Sequence, residues 1–362
     1  MFGGPSCTID DPVSARESYR HALDAALSRY APGCAVAAID DCSNQVSTNV
    51  VYRVRFEDGE ECFAKVSSYG SYVHFRQDHR LIERWSALLD GGRFSGFLAP
   101  VLTHAGAAFT HRHGEVWVAL YGKAPFYDFL PPVLTDDQVD ALGRELASLH
   151  LESLRVQPRM ELSWKSVGSD IAILYDALRR SDFVEQCALS PDACSLIETH
   201  CDRFLEQAEA IGYGALPRIP VLVDWNITNF SVGLQEQGFR LFTRWDYDWF
   251  RLDSRVFDFY FAARVVRAEG DQDHFTYDAG PLLEPRFARF LRAYHTVAPL
   301  TEAELRFVPE AYRFFLLNYV IRVGEHFFRP EFCERLRREV VEQHLPALDR
   351  LDFGVLLDVL RD

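Results

Sequence analysis

The first third of the chain alternates short apolar strands with turns and helical stretches. Residues with β-strand character, many of them alternating between apolar and polar, occupy positions 34–39, 50–56, 62–66, 97–102 and 116–120. Apolar residues at helical spacing predict a leading helix over 11–30 and a second helix over 73–89. After the leading helix, the order β-β-β-α-β-β predicts a small antiparallel sheet that carries one helix.

The pattern changes after residue 122, because the rest of the chain is mainly helical. Residues 135–138 and 301–304 have the spacing of capping boxes, which begin helices, and one hairpin interrupts the helical pattern. We therefore predict an α+β protein with a small sheet lobe over residues 1–122 and a larger, mostly helical lobe over 123–362. A cleft between two such lobes is a natural ligand site.

The composition is that of a globular protein with an acidic surplus. Of the 362 residues, 48% are hydrophobic and 25% are charged, and the formal net charge is −15. Nucleic-acid binders present basic patches, so this balance argues against a nucleic-acid partner. The negative charge is compatible with a cationic substrate, which the summed field would attract, and equally with a surplus that serves only solubility.

The cysteines and the lengths of the apolar runs bear on location. The eight cysteines include no C-x-x-C pair, so free thiols in a reducing compartment are expected rather than disulfides or a metal site. No signal-peptide pattern follows Met1, and no apolar run approaches the length of a membrane span. We expect a cytoplasmic protein without a membrane partner.

Four polar residues around the hairpin point to chemistry. Asp224 follows an apolar strand, Asn229 lies five residues later, and Asp246 and Asp248 follow the hairpin. Carboxylates and an amide supply oxygen ligands for a hard cation, and phosphoryl transfer depends on positioning and on charge neutralisation. The pattern predicts a phosphoryl-transfer site in which one Asp accepts the proton of the attacking hydroxyl. Ordinary turns, which favour Asp and Asn, are the alternative interpretation.

Asp258 stands in an unusual place, inside the aromatic run 255–261. A carboxylate buried among aromatic residues is costly unless it is hydrogen-bonded. We therefore expect Asp258 to tie down a loop, and the loop that carries Asp224 is the candidate.

These motifs together resemble those of the aminoglycoside phosphotransferase and choline kinase-like small-molecule kinases, relatives of the protein kinases. That family's catalytic loop reads H-G-D-x-x-x-x-N, and residues 224–229 keep its Asp-to-Asn spacing. Its metal motif resembles D-F-D-x-x-x-x-x-P-x-x-x-D, and residues 246–258 keep the acidic spacing. Residues 141–150 look like its L-G-x-x-L-A-x-L-H helix. The resemblance covers residues 35–330 and implies a bilobal protein-kinase-like fold.

Carried over to this chain, the resemblance implies Asp224 as the catalytic base. It implies Asn229 and Asp246 as ligands of Mg²⁺, with Asp248 as a ligand of a second metal ion or a group that supports the first ligands. The implied activity is ATP- and Mg²⁺-dependent phosphorylation of a hydroxyl group on a small molecule. The candidates for that molecule are an aminoglycoside or other antibiotic, an amino alcohol and an amino sugar.

The resemblance also implies that the small lobe binds the nucleotide. Lys65 matches the lysine that pairs with the α- and β-phosphates of ATP, and Glu83 is a better match for its ion-pair partner than Asp78. Ser47 and Asn49 take the place of a phosphate-covering loop, although their segment has no glycine-rich pattern. An exposed strand lysine is the ordinary alternative for Lys65.

Two departures from the family pattern leave a second function open. Leu222-Val223 replaces the His-Gly pair before the catalytic Asp, and Trp225 and Trp245 bring bulk beside the acidic motifs. The alternative is a nucleotide-binding pseudokinase with a regulatory or scaffold role, although the joint presence of the lysine, the asparagine and the aspartates favours an active enzyme. A protein kinase is a weaker third interpretation, because no activation-loop segment appears between Asp246 and Asp258. The sequence makes no prediction of the oligomeric state.

Overall fold

The computed structural model describes most of the chain. The described residues are 12–43, 48–236, 238–270 and 276–361. The chain divides into two compact units. The first comprises Met1–Arg80 and Pro100–Lys123, and the second comprises Leu81–Ala99 and Ala124–Asp362.

The first unit is built on an antiparallel sheet. Its strands are β1 (Val36–Asp41), β2 (Val50–Phe56), β3 (Glu61–Ser67), β6 (Thr110–His113) and β7 (Val116–Tyr121), with a short separate pair, β4 (Thr103–His104) and β5 (Ala107–Ala108). The five-stranded sheet has the order β1-β2-β3-β7-β6. Helix α1 (Pro12–Tyr30) precedes it, and helix α2 (Tyr72–Leu89) follows β3. These bounds confirm the two predicted helices and four of the predicted strands.

The two faces of this sheet differ, because side chains alternate along each strand. One face carries Ala64, which is buried in one hydrophobic cluster with Leu23 of α1. The opposite face carries Lys65, whose neighbours in the strand register are Val51 on β2 and Ala119 on β7. Lys65 therefore lies on the side of the sheet away from α1.

The first half of α2 lies over the Lys65 face. Trp117 and Tyr121 of β7 share that face, because they lie two residues on either side of the register partner of Lys65. Tyr72 packs on Trp117 with ring centroids 6.0 Å apart, and Nε2 of His79 is hydrogen-bonded to the Tyr121 hydroxyl at 2.5 Å. The first two turns of α2 therefore run alongside Lys65.

The prediction of a strand at 97–102 is wrong. Leu98 and Val101 make isolated bridge pairs instead of a continuous strand. The physical reason is Pro100, which has no backbone N–H to donate to a ladder. The backbone carbonyl of Pro100 still accepts a bond from the N–H of Gly122 at 2.8 Å.

The second unit is mainly helical. Its α-helices are α3 (Asp136–Val156), α4 (Val167–Ala177), α5 (Ser181–Gln186), α6 (Pro191–Ile211), α7 (Phe259–Val266), α8 (Gly280–Leu283), α9 (Pro285–Val297), α10 (Glu302–Phe315), α11 (Pro330–Glu339) and α12 (Leu345–Leu348). π-Helical turns follow α10 and α11, at Leu316–Arg322 and Val340–His344. Short 3-10 helices lie at Gln157–Arg159, Tyr213–Ala215, Ile227–Asn229, Arg255–Asp258, Gly324–His326 and Gly354–Leu360. Both predicted capping boxes are present, at the starts of α3 and α10. Within the described part of the chain, no helix combines the length and the apolar character that crossing a bilayer requires.

Two strand pairs interrupt the helices of the second unit. The strands are β8 (Ile219–Val221), β9 (Phe230–Gln235), β10 (Gly238–Arg244) and β11 (Arg251–Asp253). β9 and β10 form the predicted hairpin, and β8 pairs with β11 in antiparallel register. Because of these pairings, the start of the loop from β8 to β9 lies beside the end of the loop from β10 to β11. The end of the first loop likewise lies beside the start of the second.

Candidate active site

The two loops between the paired strands hold the four residues predicted to carry the chemistry. Asp224 and Asn229 lie between β8 and β9, and Asp246 and Asp248 lie between β10 and β11. The backbone N–H of Trp245 donates a hydrogen bond of 3.1 Å to the carbonyl of Asn229. This bond ties the two loops together, so the four residues gather at one end of the strand pairs.

Asp224 and Asn229 are in direct contact. Nδ2 of Asn229 donates to Oδ2 of Asp224 at 3.0 Å, and the backbone N–H of Asn226 donates to Oδ1 of Asp224 at 3.2 Å. Because the first bond uses the amide nitrogen of Asn229, its amide oxygen is the atom that could ligate a cation. The spacing of five residues in the sequence thus corresponds to a contact between the two side chains.

The carboxyl of Asp224 holds a proton more tightly than an ordinary aspartate does. Desolvation of this half-buried side chain, and then the negative charge of Asp246, raise its pKa to about 7, while Arg244 and Arg264 act in the opposite direction. The effect of Asp246 indicates that the two carboxylates lie close enough to repel each other. A carboxylate with a pKa near neutrality is suited to accept a proton from a hydroxyl group.

Arg244, which the sequence did not single out, supports both loops. Its buried guanidinium donates to the backbone carbonyls of Asp224 at 2.6 Å and of Asn229 at 2.7 Å. Its own backbone is paired with Phe97 at 2.6 Å and with Ala99 at 2.8 Å. The sequence gives no signal for this role, because an arginine at the end of a strand is ordinarily exposed.

Asp258 anchors the loop that carries Asp224, as predicted. Its Oδ1 accepts hydrogen bonds from the backbone N–H groups of Leu222 at 3.0 Å and of Val223 at 2.6 Å. Its Oδ2 is hydrogen-bonded to Nε2 of His150 at 2.9 Å, and Nδ1 of His150 is bonded to the Tyr294 hydroxyl at 2.7 Å. Burial lowers the pKa of His150, which favours a neutral ring that donates to Asp258 and accepts from Tyr294.

Two residues of the site have left-handed backbone conformations, which non-glycine residues rarely adopt. The φ angle is 63° at Val223 and 66° at Asp246. Asp tolerates this region better than a β-branched residue does, so Val223 is the more strained of the two. Val223 stands where the H-G-D motif has glycine, which adopts such a conformation readily. Strain of this kind is concentrated at functional sites.

The residues predicted to bind the nucleotide are divided between the two units. Lys65 and Asn49 are buried in the first unit, and Lys65 has 6% of its surface exposed. Asp78, also in the first unit, is 9% exposed, whereas Glu83 is half-buried on the part of α2 that belongs to the second unit. A buried ammonium group is stable only with a nearby carboxylate, and Asp78 is the more buried candidate. Ser47 lies outside the described residues.

The donor atoms at the two loops fit a hard divalent cation. Asn229, Asp246 and Asp248 offer amide and carboxylate oxygens, and Mg²⁺ commonly completes such a set with water and substrate phosphates. The backbone N–H of Asp248 donates to Oδ1 of Asp246 at 3.4 Å, so the two aspartates share one tight turn. Among the described residues, no group of three His, Cys, Asp or Glu side chains is arranged to hold a metal alone. A magnesium ion here would be ligated by nucleotide phosphates as well as by the protein.

Comparison with known proteins finds similar solved structures. No protein-family model and no curated protein sequence matches the chain. Amicoumacin kinase hAmiN, in complex with AMP-PNP, Ca²⁺ and Ami, has a TM-score of 0.59 and 13% identity, over 96% of this chain and 100% of its own. An aminoglycoside phosphotransferase from Alicyclobacillus acidocaldarius has a TM-score of 0.51 and 16% identity, over 94% and 96% of the two chains. The GDP and kanamycin complex of APH(2")-IIia has a TM-score of 0.57 and 12% identity, over 89% and 97%.

These similarities cover nearly the whole of both chains in each pair. They confirm the predicted α+β, protein-kinase-like fold and the resemblance to small-molecule kinases that the motifs suggested. At identities between 12% and 16% they establish the fold. The activity has to be argued from the chain's own site.

Proposed function

We propose that this protein transfers the γ-phosphoryl group of ATP to a hydroxyl group of a small molecule, with Mg²⁺ as cofactor. The observation that carries the proposal is the 3.0 Å contact between Asp224 and Asn229 beside the charge of Asp246. A proton acceptor next to oxygen ligands for a divalent cation is the combination that phosphoryl transfer needs.

In the proposed reaction, Asp224 binds the acceptor hydroxyl and receives its proton. A bond forms between the acceptor oxygen and the γ-phosphorus, and the bond from the γ-phosphorus to the β,γ-bridging oxygen breaks, which leaves ADP. Because the pKa of Asp224 is raised to about 7, its carboxylate takes up this proton more readily than an ordinary aspartate would. Asn229 keeps that carboxylate in position through its Nδ2 group.

The metal would be held by the oxygen atoms of Asn229 and Asp246. Asp248 would ligate a second ion or support the first ligands from the same tight turn. When bound, Mg²⁺ would neutralise charge on the β- and γ-phosphates. The amide nitrogen of Asn229 would remain hydrogen-bonded to Asp224. Asn229 would therefore link the catalytic base to the metal ion.

The nucleotide would be bound further by the first unit. Lys65 would contact the α- and β-phosphates, and Asp78 or Glu83 would orient its ammonium group. The side chains of Ser47 and Asn49 would donate hydrogen bonds to phosphate oxygens. The burial of Lys65 and Asn49 supports a role for both beyond that of a solvated surface residue.

The acceptor is proposed to be a small molecule that bears an amino group. The net charge of −15 favours the approach of cations. Similar structures include an amicoumacin kinase and the kanamycin complex of an aminoglycoside phosphotransferase. An aminoglycoside or other antibiotic, an amino alcohol and an amino sugar all satisfy this description.

The cytoplasm is the proposed location of the reaction. The reaction needs ATP, which the cytoplasm supplies. The cysteines within the described residues are free thiols, which suits a reducing compartment.

A pseudokinase is the second candidate, and the replacement of His-Gly by Leu222-Val223 is the observation that favours it. The loop does not depend on that histidine, however, because Asp258 bonds both backbone N–H groups directly. The contact between Asp224 and Asn229 forms as well. The geometry therefore supports the enzyme over the scaffold.

The test is transfer of radiolabelled phosphate from ATP to a panel of aminoglycosides, amino alcohols and amino sugars. We expect Asp224→Ala to lower transfer at least about 100-fold while ATP affinity stays within about twofold. Asp176→Ala removes an exposed carboxylate on α4 and is the matched control, with wild-type transfer expected. ATP binding without transfer to any acceptor would favour the pseudokinase, and a wild type that binds no nucleotide would exclude both candidates.

A further inference from the structure

His79 of α2 is held at both of its ring nitrogens inside the first unit. Nδ1 is hydrogen-bonded to the backbone carbonyl of Phe75 at 2.7 Å, and Nε2 is hydrogen-bonded to the Tyr121 hydroxyl on β7 at 2.5 Å. The side chains of His79 and Tyr121 are both buried. Neither side chain takes part in the steps of the proposed reaction, so this contact between α2 and β7 needs another explanation.

The two partners of His79 determine its tautomer. A carbonyl oxygen only accepts hydrogen bonds, so Nδ1 carries the proton and donates to Phe75. Nε2 is then the acceptor, and the Tyr121 hydroxyl donates to it. The imidazole is therefore neutral, and it adds no positive charge to the face of the sheet that carries Lys65.

The contact is one of two that fix α2 on this face. Tyr72 and His79 are seven residues apart, about two helical turns, and so lie on the same side of the helix. They contact β7 two residues before and two residues after Ala119, the register partner of Lys65. Removal of either contact would leave one end of this stretch of α2 free to move away from the sheet.

Asp78 lies at the turn that His79 fixes. It immediately precedes His79, and its side chain is buried, as is that of Lys65. Successive side chains of a helix differ in direction by about 100°, so the orientation of His79 determines the direction of Asp78. The attraction between a carboxylate and an ammonium group weakens with distance, so a shift of this turn would weaken a pair between Asp78 and Lys65.

We infer that His79 is a positioning residue, which through its bond to Tyr121 holds Asp78 where that carboxylate orients Lys65 towards the nucleotide phosphates. The inference rests on the proposed phosphotransfer function, in which Lys65 contacts the α- and β-phosphates, and it adds the contact that prepares this lysine. The effect is confined to the phosphates. The affinity for ATP therefore depends on the bond between His79 and Tyr121, and the affinity for adenosine does not.

The experiment measures the dissociation constant of MgATP by titration calorimetry and that of adenosine by its competition with MgATP. Tyr121→Phe removes only the hydroxyl, and we expect it to raise the dissociation constant of MgATP about 2- to 10-fold. His79→Leu removes both hydrogen bonds and should raise it about tenfold. The dissociation constant of adenosine should stay within about twofold of wild type in both variants.

A conservative substitution and a double-mutant cycle separate positioning from a general loss of stability. His79→Gln places an amide oxygen within reach of the Tyr121 hydroxyl, so its MgATP affinity should stay within about threefold of wild type. When Asp78→Asn is already present, His79→Leu should change the MgATP affinity less than about twofold further, because both substitutions act on the same pair.

Tyr72→Phe is the matched control on the same helix. It removes a hydroxyl that is hydrogen-bonded to Oγ1 of Thr110 at 3.1 Å, and it keeps the ring that packs on Trp117. Like Tyr121→Phe, it deletes one oxygen atom from a contact between α2 and the sheet. Its MgATP affinity should be that of the wild type.

Several results would overturn the inference. Wild-type MgATP affinity in both Tyr121→Phe and His79→Leu would reject it and leave the phosphotransfer proposal intact. Equal losses for MgATP and adenosine would assign the bond to the integrity of the whole unit. Independent effects of His79→Leu and Asp78→Asn would show that His79 does not act through Asp78. A wild type that binds no nucleotide would reject the phosphotransfer proposal itself, which makes the two failures distinguishable.

Discussion

The carboxylate of Asp258 accepts a hydrogen bond of 2.6 Å from the backbone N–H of Val223, 35 positions earlier in the chain. Val223 has a φ of 63°, a left-handed conformation that costs an L-residue about 1–2 kcal/mol. A buried hydrogen bond to an ionised carboxylate is strong enough to offset that cost. The position of Asp224, the next residue, therefore depends on Asp258.

The substitution Asp258→Asn tests this dependence. It leaves one carbonyl oxygen for the Val223 N–H but removes the charge that strengthens the bond. We expect the free energy of unfolding to fall by about 1–3 kcal/mol. We expect kcat to fall at least about tenfold, because Asp224 loses its fixed position, with little change in ATP affinity. Urea denaturation and steady-state kinetics measure the two effects.

Asp140→Asn is the control for Asp258→Asn, because it removes a carboxylate from a more exposed ion pair with Arg289, at 2.7 Å. Asp140→Asn should lower the free energy of unfolding by less than about 1 kcal/mol and leave kcat unchanged. A wild-type kcat in Asp258→Asn would mean that apolar packing of Leu222 and Val223 is enough to hold the loop.

Asp246→Asn tests the metal assignment. Asn tolerates a left-handed φ, so the backbone at this position should be retained. The loss of one charged oxygen ligand should raise the Mg²⁺ concentration that half-saturates ATP binding at least about tenfold. ATP binding in the presence of EDTA should not change. Titration of ATP at several Mg²⁺ concentrations provides the measurement.

The control for Asp246→Asn is Asp128→Asn, which removes an exposed carboxylate from a segment that pairs with the same hairpin through its backbone. It should keep the wild-type Mg²⁺ dependence. If Asp246→Asn keeps it too, Asp246 is not a metal ligand.

Two contacts of the candidate site could be predicted, because local patterns in the sequence indicate them. Asp224 and Asn229 were found by their spacing, and that spacing places their side chains 3.0 Å apart. Asp258 was found because a carboxylate among aromatic residues needs hydrogen-bond donors, and Leu222 and Val223 supply them.

The remainder depends on contacts that no local pattern encodes. In the sequence, Arg244 cannot be distinguished from an ordinary arginine at the end of a strand. Only the folded chain brings its guanidinium to the Asp224 carbonyl. The segment 97–102 has the apolar content of a strand, but Pro100 limits it to isolated bridges. The left-handed φ of Val223 opposes the preference of a β-branched residue, so surrounding bonds decide it.

The carboxylate proposed to orient Lys65 can be identified by two substitutions. Lys65 lies opposite Ala119 on β7. The residues two positions before and after Ala119, Trp117 and Tyr121, contact α2 at Tyr72 and His79. The stretch of α2 between these contacts includes Asp78. We therefore expect Asp78→Asn to raise the dissociation constant of ATP about tenfold.

Glu83→Gln is the paired substitution on the same helix, since it removes one charge with little change in shape. It should change ATP affinity less than about twofold. Calorimetric titration of ATP into both variants decides between the two residues. The reverse order of effects would identify Glu83 as the partner of Lys65.

His200 on α6 is buried in a cluster of charged residues. Burial, followed by the charges of Arg313 and Arg203, lowers its pKa to about 4, and its Nδ1 accepts a hydrogen bond from Arg313. Asp349 lies 3.9 Å from its Nε2 and also pairs with both arginines, and Glu310 pairs with Arg313 at 2.8 Å. The carboxylates of the cluster are therefore engaged by arginine, which leaves His200 neutral.

This arrangement predicts a loss of stability in mild acid. The unfolded chain, in which His200 has an ordinary pKa of 6.5, binds a proton more readily than the folded chain does. The stability that neutral His200 contributes to the folded state is complete above pH 6.5 and is lost as the pH falls towards 4. His200→Asn keeps an oxygen that can accept from Arg313 but does not titrate. The slope of unfolding free energy against pH is proportional to the number of protons that the chain takes up on unfolding. In this window, His200→Asn should reduce that number by up to about one.

Urea denaturation at a series of pH values measures the slope for the wild type and for His200→Asn. His21→Asn, which removes an exposed histidine of α1, is the control substitution. Only a group whose pKa differs between the folded and unfolded states contributes to the slope. An unchanged slope in His200→Asn would therefore mean that the carboxylates of the cluster, and not the imidazole, make the protein sensitive to acid.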